Sequence, residues 1–145
     1  MEFGMSFFPD VKPDEKSARP YFDESLRLVD WCDVYGYSHV RIVEHYFHPW
    51  GGYSPNPIIF LTAASQRTKR ARLVTGAVLP AFNHPLKLAG ELAMLDAISD
   101  RRLDIGFARA FLPTSSVASA SRWMRASHAS RKASSRFAPS SKAST

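Results

Sequence analysis

Val40-Arg41-Ile42-Val43-Glu44-His45-Tyr46-Phe47 is a short apolar run that delivers an acid, an imidazole and two aromatic rings at its end. Neighbours in a strand point to opposite faces, so Glu44 and His45 serve one pocket only if the strand has ended and the backbone has turned. The run therefore reads as the carboxyl end of a strand, and in parallel α/β folds ligands bind in the loops leaving those ends. The stretch that follows, Glu44–Pro55, contains Pro49, Gly51, Gly52 and Pro55 and is long enough to be a functional loop.

Working outward, Phe3, Met5 and Phe7 alternate with other residues across Glu2–Phe8, a strand pattern that Pro9 and a polar loop through Pro20 bring to an end. Phe22, Leu26, Val29 and Cys32 fall at helical spacing between Phe22 and Tyr35, and Gly36 supplies the stop. His39–Val43 is strand two. Asn56-Pro57 is a helix-start signal, a capping side chain followed by proline at the first helical position, leading into Ile58–Thr68. The first turn of that helix is apolar all round and is expected to be buried. Arg67, Lys69 and Arg70 stand at its end, where positive charge suits the helix dipole, and Arg72–Leu79 forms strand three. Asn83-His84-Pro85 repeats the capping logic before Leu86–Ser99, with Leu88, Leu92 and Leu95 on one stripe. Leu103–Ala108 is strand four.

A chain of 145 residues with 45% hydrophobic content suits one ordinary domain with its own core. The formal charge of +6 resembles a nucleic-acid or membrane signal until it is located: residues 114–145 hold six Lys/Arg and no acid, leaving 13 basic against 13 acidic residues in 1–113. The body is neutral, so neither specific nucleic-acid binding nor membrane attachment is expected of it. One cysteine, Cys32, excludes an internal disulfide. The amino terminus shows no basic and apolar leader pattern and no apolar run reaches spanning length, so the expectation is a soluble, cytoplasmic protein.

Strands alternating with helices at these spacings require parallel crossovers, which gives βαβαβαβ. An open doubly wound sheet and a barrel fragment both satisfy that order, although no Gly-x-Gly-x-x-Gly follows strand one. Here the residues resemble a known family. Val43–Phe47, Ser54–Pro57, Thr68–Pro80, His84–Leu86 with Glu91–Asp96, and Arg102–Arg109 resemble, in order and spacing, the N-terminal half of the bacterial luciferase-like flavin-dependent monooxygenases. The resemblance implies a partial (β/α)8 TIM barrel of about four strands and three helices. It also implies reduced flavin, usually FMN, bound at the C-terminal face and used with O2 on a small organic substrate, the flavin being supplied by a flavin reductase. A related branch uses the deazaflavin coenzyme. Helices two and three resemble the dimer-forming surface, so a homo- or hetero-dimer is expected through them.

The same resemblance assigns roles. His45 matches the imidazole near the reactive flavin edge, where a near-neutral pKa suits proton movement. Glu44 would orient His45 or bond its neighbours; read from the residues alone it is equally a loop carboxylate satisfied by backbone N–H groups. Gly76-Ala77 matches a place where the backbone approaches the flavin ring through a non-prolyl cis peptide, whereas from the residues alone Gly76 merely relieves crowding at a strand end. Arg109 matches an arginine that holds the flavin phosphate, work suited to a planar bidentate donor. Two departures stand out: Tyr46 occupies the place of a second histidine, and Ser99-Asp100-Arg101-Arg102 replaces the usual Ser-Gly-Gly-Arg, which weakens the expected tight turn. No metal site is expected, because Glu44-His45-x-x-His48 has the wrong order and runs into a Pro/Gly loop instead of a helix.

Beyond Pro113 the chain changes character. Residues 114–145 are dominated by Ser, Ala and Arg without periodicity and are expected to be a disordered tail behind an N-terminal half-barrel of residues 1–113. A basic arm for anionic polymers is one reading of it. The other is an accidental frame: the single codons of Trp123 and Met124, read one base back, force an Asp codon preceded by Leu, Met or Val and followed by Ala or Glu, where the family has Met-Asp-Glu. That favours a one-base frameshift near codon 113. A fragment of this kind has little or no expected turnover alone, and its non-enzymatic alternative is to pair with an intact homologue.

Overall fold

The protein is described from a computed structural model, which covers residues 1–46 and 53–109. Four strands, β1 (Gly4–Phe7), β2 (His39–Ile42), β3 (Arg72–Val78) and β4 (Leu103–Phe107), form one sheet in the order β1-β2-β3-β4, every neighbouring pair parallel. Three helices carry the crossovers: α1 (Ala18–Asp30), α2 (Pro57–Ser65) and α3 (Pro85–Ile98). Strand order identical to chain order is the informative feature. A right-handed crossover that always steps to the same side puts every helix on the same face, as in a barrel, whereas a doubly wound sheet reverses its direction and covers both faces. Phe7, Val40, Ile42 and Leu73 accordingly join Val29, Leu61, Leu88, Leu92 and Leu95 in one buried cluster. The opposite face carries Ser6, His39, Arg41, Arg72 and Asp104, aligned by the strand register, and among the described residues no helix packs on it.

The expected elements are all present, with shifted ends. α1 begins four residues before Phe22, at Ala18, so that Pro20 lies inside the helix and not in the preceding loop. Proline is tolerated in a first turn because the N–H it lacks would have no partner there. Past Asp30 the chain continues in turns until Gly36, whose φ of 72° lets the Tyr37 N–H reach back to the Cys32 carbonyl at 2.9 Å. That bond closes the turn in the manner of a Schellman motif, for which glycine is favoured. Asn56 caps α2 as expected, accepting from the Ile58 and Ile59 N–H groups at 2.9 and 3.4 Å. The first turn of α2 is not buried all round, however: Pro57, Ile58, Phe60 and Leu61 are buried while Ile59 is 70% exposed, since successive residues rotate about 100° and one must face outward.

The amino-terminal ends of the strands are held by two polar clamps. Asp33 accepts backbone hydrogen bonds from Lys69, Arg70 and Ala71, the three residues that lead into β3. Burial alone would raise its carboxyl, but those N–H donors together with the Arg70 guanidinium outweigh it and hold the pKa below the ordinary value. Arg102 donates to the carbonyls of Ser99, Ala71 and Ser65 at 2.7, 2.8 and 2.9 Å and to the Thr68 hydroxyl at 2.9 Å, joining the ends of α2 and α3 to the start of β4. The guanidinium fork suits that task because its donors diverge in one plane.

Before β4, Asp100 and Arg101 both adopt the left-handed conformation, at φ of 57° and 59°. These are the two positions where the resembled family has glycine, so the tight turn persists although neither side chain favours it. A left-handed non-glycine residue costs about 1 kcal/mol. Asp100→Gly and Arg101→Gly are each expected to stabilise the fold by up to about 1 kcal/mol, less whatever the greater freedom of glycine in the unfolded chain takes back. Thermal or urea unfolding of the two variants checks this.

Candidate active site at the carboxyl ends of the strands

Because all four strands are parallel, their exits lie on one rim, and the residues singled out from sequence gather there. Glu44 and His45 leave β2, the Gly76–Ala77 bond lies near the end of β3, and Arg109 is exposed two residues past β4. The Gly76–Ala77 peptide is cis. The Ala108 N–H donates to the Val78 carbonyl at 3.0 Å, which carries the ladder beyond β4 and fixes where Arg109 departs.

Glu44 and His45 part company. The His45 N–H donates to the Ser54 carbonyl at 2.8 Å, and its ring meets Phe8, just past β1, edge to face with centroids 5.0 Å apart. Glu44 turns the other way, is only 4% exposed, and accepts from the Leu79 N–H at 2.8 Å, the Tyr46 hydroxyl and the Asn83 amide at 3.4 Å. Among the described residues these are its donors, and the imidazole of His45 is not one of them. The carboxylate therefore ties the exit of β2 to the exit of β3 through one backbone N–H and two side-chain donors, one of them its neighbour Tyr46. Burial raises its pKa, against the three hydrogen bonds that lower it. The Tyr46 hydroxyl is pushed well above its ordinary value by burial and by the adjoining carboxylate, so it remains a donor. Its ring packs edge to face on Phe82, 5.3 Å away.

Gly76 is crowded by its own sheet. A Cβ there would lie 2.0 Å from Arg41 Nε and 2.6 Å from Arg41 Cγ, and Arg41 Nη2 donates to the Gly76 carbonyl at 2.9 Å. The glycine thus makes room for the Arg41 side chain.

Sequence reasoning missed Phe8, Leu79, Arg41 and the true part played by Asn83. The residue before α3 at the cap position is His84, without a side-chain cap, and Asn83 instead donates to the Leu79 carbonyl at 3.0 Å and to Glu44. Asn83 stands one residue outside the cap position, so it does not cap. Only the chemistry of a buried carboxylate needing donors, applied to β2 and β3 together, would have found it. His48 and the rest of the expected loop across 47–52 lie outside the described residues, as does the expected disordered tail. No group of three or more potential metal ligands occurs among the described residues. A cavity of about 330 Å³ lies between α1 and α2 on the helix side of the sheet, lined by Phe22, Leu26 and Phe60 and reaching Ile42 at the end of β2 and the Ser54–Asn56 turn that enters α2.

A one-sided parallel sheet with such a rim defines a class, the N-terminal portion of a (β/α)8 barrel. The profile of the luciferase-like monooxygenase family matches residues 1–133, and the chain belongs to that family. It is 37% identical over 109 residues to the oxygenase component of the flavin-dependent trigonelline monooxygenase of Acinetobacter baylyi, covering 75% of this chain and 30% of that protein. An F420-dependent glucose-6-phosphate dehydrogenase of Rhodococcus erythropolis is 28% identical over 87 residues, covering 57% and 26%. Among solved structures, monooxygenase RslO1 from Streptomyces bottropensis superposes with a TM-score of 0.80 at 63% identity, covering 82% of this chain and 36% of that one. The oxygenating constituent of 3,6-diketocamphane monooxygenase from Pseudomonas putida, solved in complex with FMN, gives 0.76 at 31% identity, covering 82% and 32%. The chain thus spans about a third of the length of these relatives.

The raised pKa of Glu44 sets a pH dependence. A carboxyl whose folded pKa stands above its unfolded one contributes stability that is fully present below the unfolded value and is lost as pH rises through the folded value. Glu44→Gln, permanently neutral, is therefore expected to gain on the native protein as pH is raised from about 4 to 7. Glu44→Ala, which strands the Leu79, Tyr46 and Asn83 donors, is expected to lose about 1–3 kcal/mol. Melting temperatures of the three proteins across that range test both.

Proposed function

We propose that this chain supplies the His45 portion of a reduced-flavin site in a luciferase-like monooxygenase that oxygenates a small organic substrate. The observation that carries the reading is the gathering of His45, the Gly76–Ala77 peptide and Arg109 at one rim of a sheet belonging to this family. FMN is the flavin favoured, from the complex of the diketocamphane relative, and it would arrive reduced from a separate flavin reductase. The deazaflavin coenzyme is a second reading, favoured by the F420-dependent relative. No helix among the described residues is long and apolar enough to cross a membrane, which suits a cytoplasmic setting.

In this reading the reduced flavin supplies the electrons that activate O2, and the chain supplies position and a proton. His45, half-buried and packed on Phe8, holds or moves a proton at its imidazole. Glu44 is a positioning residue: it braces the exits of β2 and β3, between which Tyr46 is presented to the rim. Gly76–Ala77 offers a backbone edge without a side chain at residue 76. Arg109 presents a bidentate donor to the phosphate. The described strands make up half of an eight-stranded barrel, so flavin binding is expected to exceed turnover. Anaerobic fluorescence titration of the whole chain with reduced FMN should saturate and should weaken in His45→Ala, while NADH-supported oxidation stays at background. Absence of saturable binding would remove the proposal. A non-enzymatic partner of an intact homologue is then the remaining reading, favoured by the exposed Ile59, Leu86 and Met94 on α2 and α3, the helices through which a dimer is proposed.

Residues 114–145, into which the family profile reaches as far as residue 133, are further proposed to be read out of frame. Sequencing of the nucleotides around codon 113 should show that restoring one base yields an Asp codon across Trp123-Met124 flanked by family-like residues. An unbroken family frame ending in this tail would refute the frameshift.

A further inference from the structure

Two arginines lie on the strands, and both point to the helix-free face. Arg72 is neutralised by Asp104, which takes both its Nε and Nη2 hydrogens. Arg41 has no such partner: among the described residues its only side-chain hydrogen bond goes to the Gly76 carbonyl, and no carboxylate lies within ion-pair distance. It stands in register with Val74, yet its side chain reaches two residues up the neighbouring strand to Gly76, towards the rim. The absent Cβ of Gly76 is what allows this, since Nε, Cγ and Cδ of Arg41 occupy that space. A guanidinium has five N–H donors, and here one is spent in holding the group still beside the Gly76–Ala77 peptide. Glu44 is turned away into its own donors, the Tyr46 hydroxyl, the Leu79 N–H and the Asn83 amide, and makes no ion pair with Arg41.

We propose that Arg41 is an anion-recognising residue of the rim that selects the ionised ring of a reduced flavin over the oxidised ring. This rests on the flavin reading above. Reduced flavins lose the N1 proton near neutral pH, and the charge spreads over N1 and the neighbouring carbonyl oxygen, a planar acceptor pair that suits a guanidinium edge. Oxidised flavin carries no such charge in its ring. The phosphate of FMN is a second source of anionic oxygen, and riboflavin, which lacks it, separates the two.

The test titrates the whole chain, Arg41→Gln and Arg109→Gln with oxidised and anaerobically reduced FMN and riboflavin, circular dichroism melts verifying that each variant folds. Loss of one charge-assisted contact should weaken Arg41→Gln about tenfold towards both reduced ligands and leave the oxidised ones nearly unchanged. Arg109→Gln should weaken FMN alone, in either redox state. Arg41→Lys, which keeps the charge without the fork, should fall between. Equal weakening of oxidised and reduced ligands by Arg41→Gln, weakening of FMN but not riboflavin, or no weakening at all each overturns the inference while leaving the flavin reading intact. Failure of the native chain to bind any of the four overturns the flavin reading, and this inference with it.

Discussion

Parallel pairing in chain order is the constraint on which the rest of the structure depends. Each crossover must return to the same end of the sheet before the next strand begins, and a right-handed return that always steps one way stacks all three helices on one face. The apolar stripes of those helices and the alternate residues of the strands then have one place to go, and they merge into one core. The other residues of each strand face a surface without helices, which explains why Arg41, Arg72, His39 and Asp104 stand on a sheet whose opposite side is packed with Leu, Ile and Val.

The same constraint separates the chain's two ends of the sheet by task. At the strands' beginnings, Asp33 and Arg102 bind backbone groups of the connecting turns, so the polar atoms there are spent on holding helices to strands. At the strands' ends the polar groups are aimed across the rim, from Glu44 to the exit of β3 and from Arg41 to Gly76. Stability and candidate chemistry thus occupy opposite ends, as is general for (β/α)8 barrels. Tyr46, a departure from the resembled pattern, is absorbed by donating to Glu44 and packing on Phe82.

Much of this was legible beforehand where local rules govern. The Asn56-Pro57 start rests on a preference of a few neighbouring residues and appears where it was expected, while β1 keeps Met5 and Phe7 but not Phe3, and Gly36 closes the turns that follow α1 and not the helix itself. The misreadings share a different cause. Asn83 was expected to cap α3 but answers a carboxylate 39 residues earlier, and Ile59 belongs to an apolar turn that the packing does not enclose. Pro20, the end of the expected polar loop, lies in the first turn of α1, where the N–H it lacks would have no partner.

The sequence by itself determined the alternation of strands and helices, the family resemblance and the identity of the rim residues, since these follow from periodicity, turn chemistry and motif order along the chain. Tertiary structure alone decided that Glu44 braces the exit of β3 and that Gly76 yields its space to Arg41. Those outcomes depend on which strands become neighbours and in what register, and a burial cost or a steric clash between residues 35 positions apart has no counterpart in local sequence.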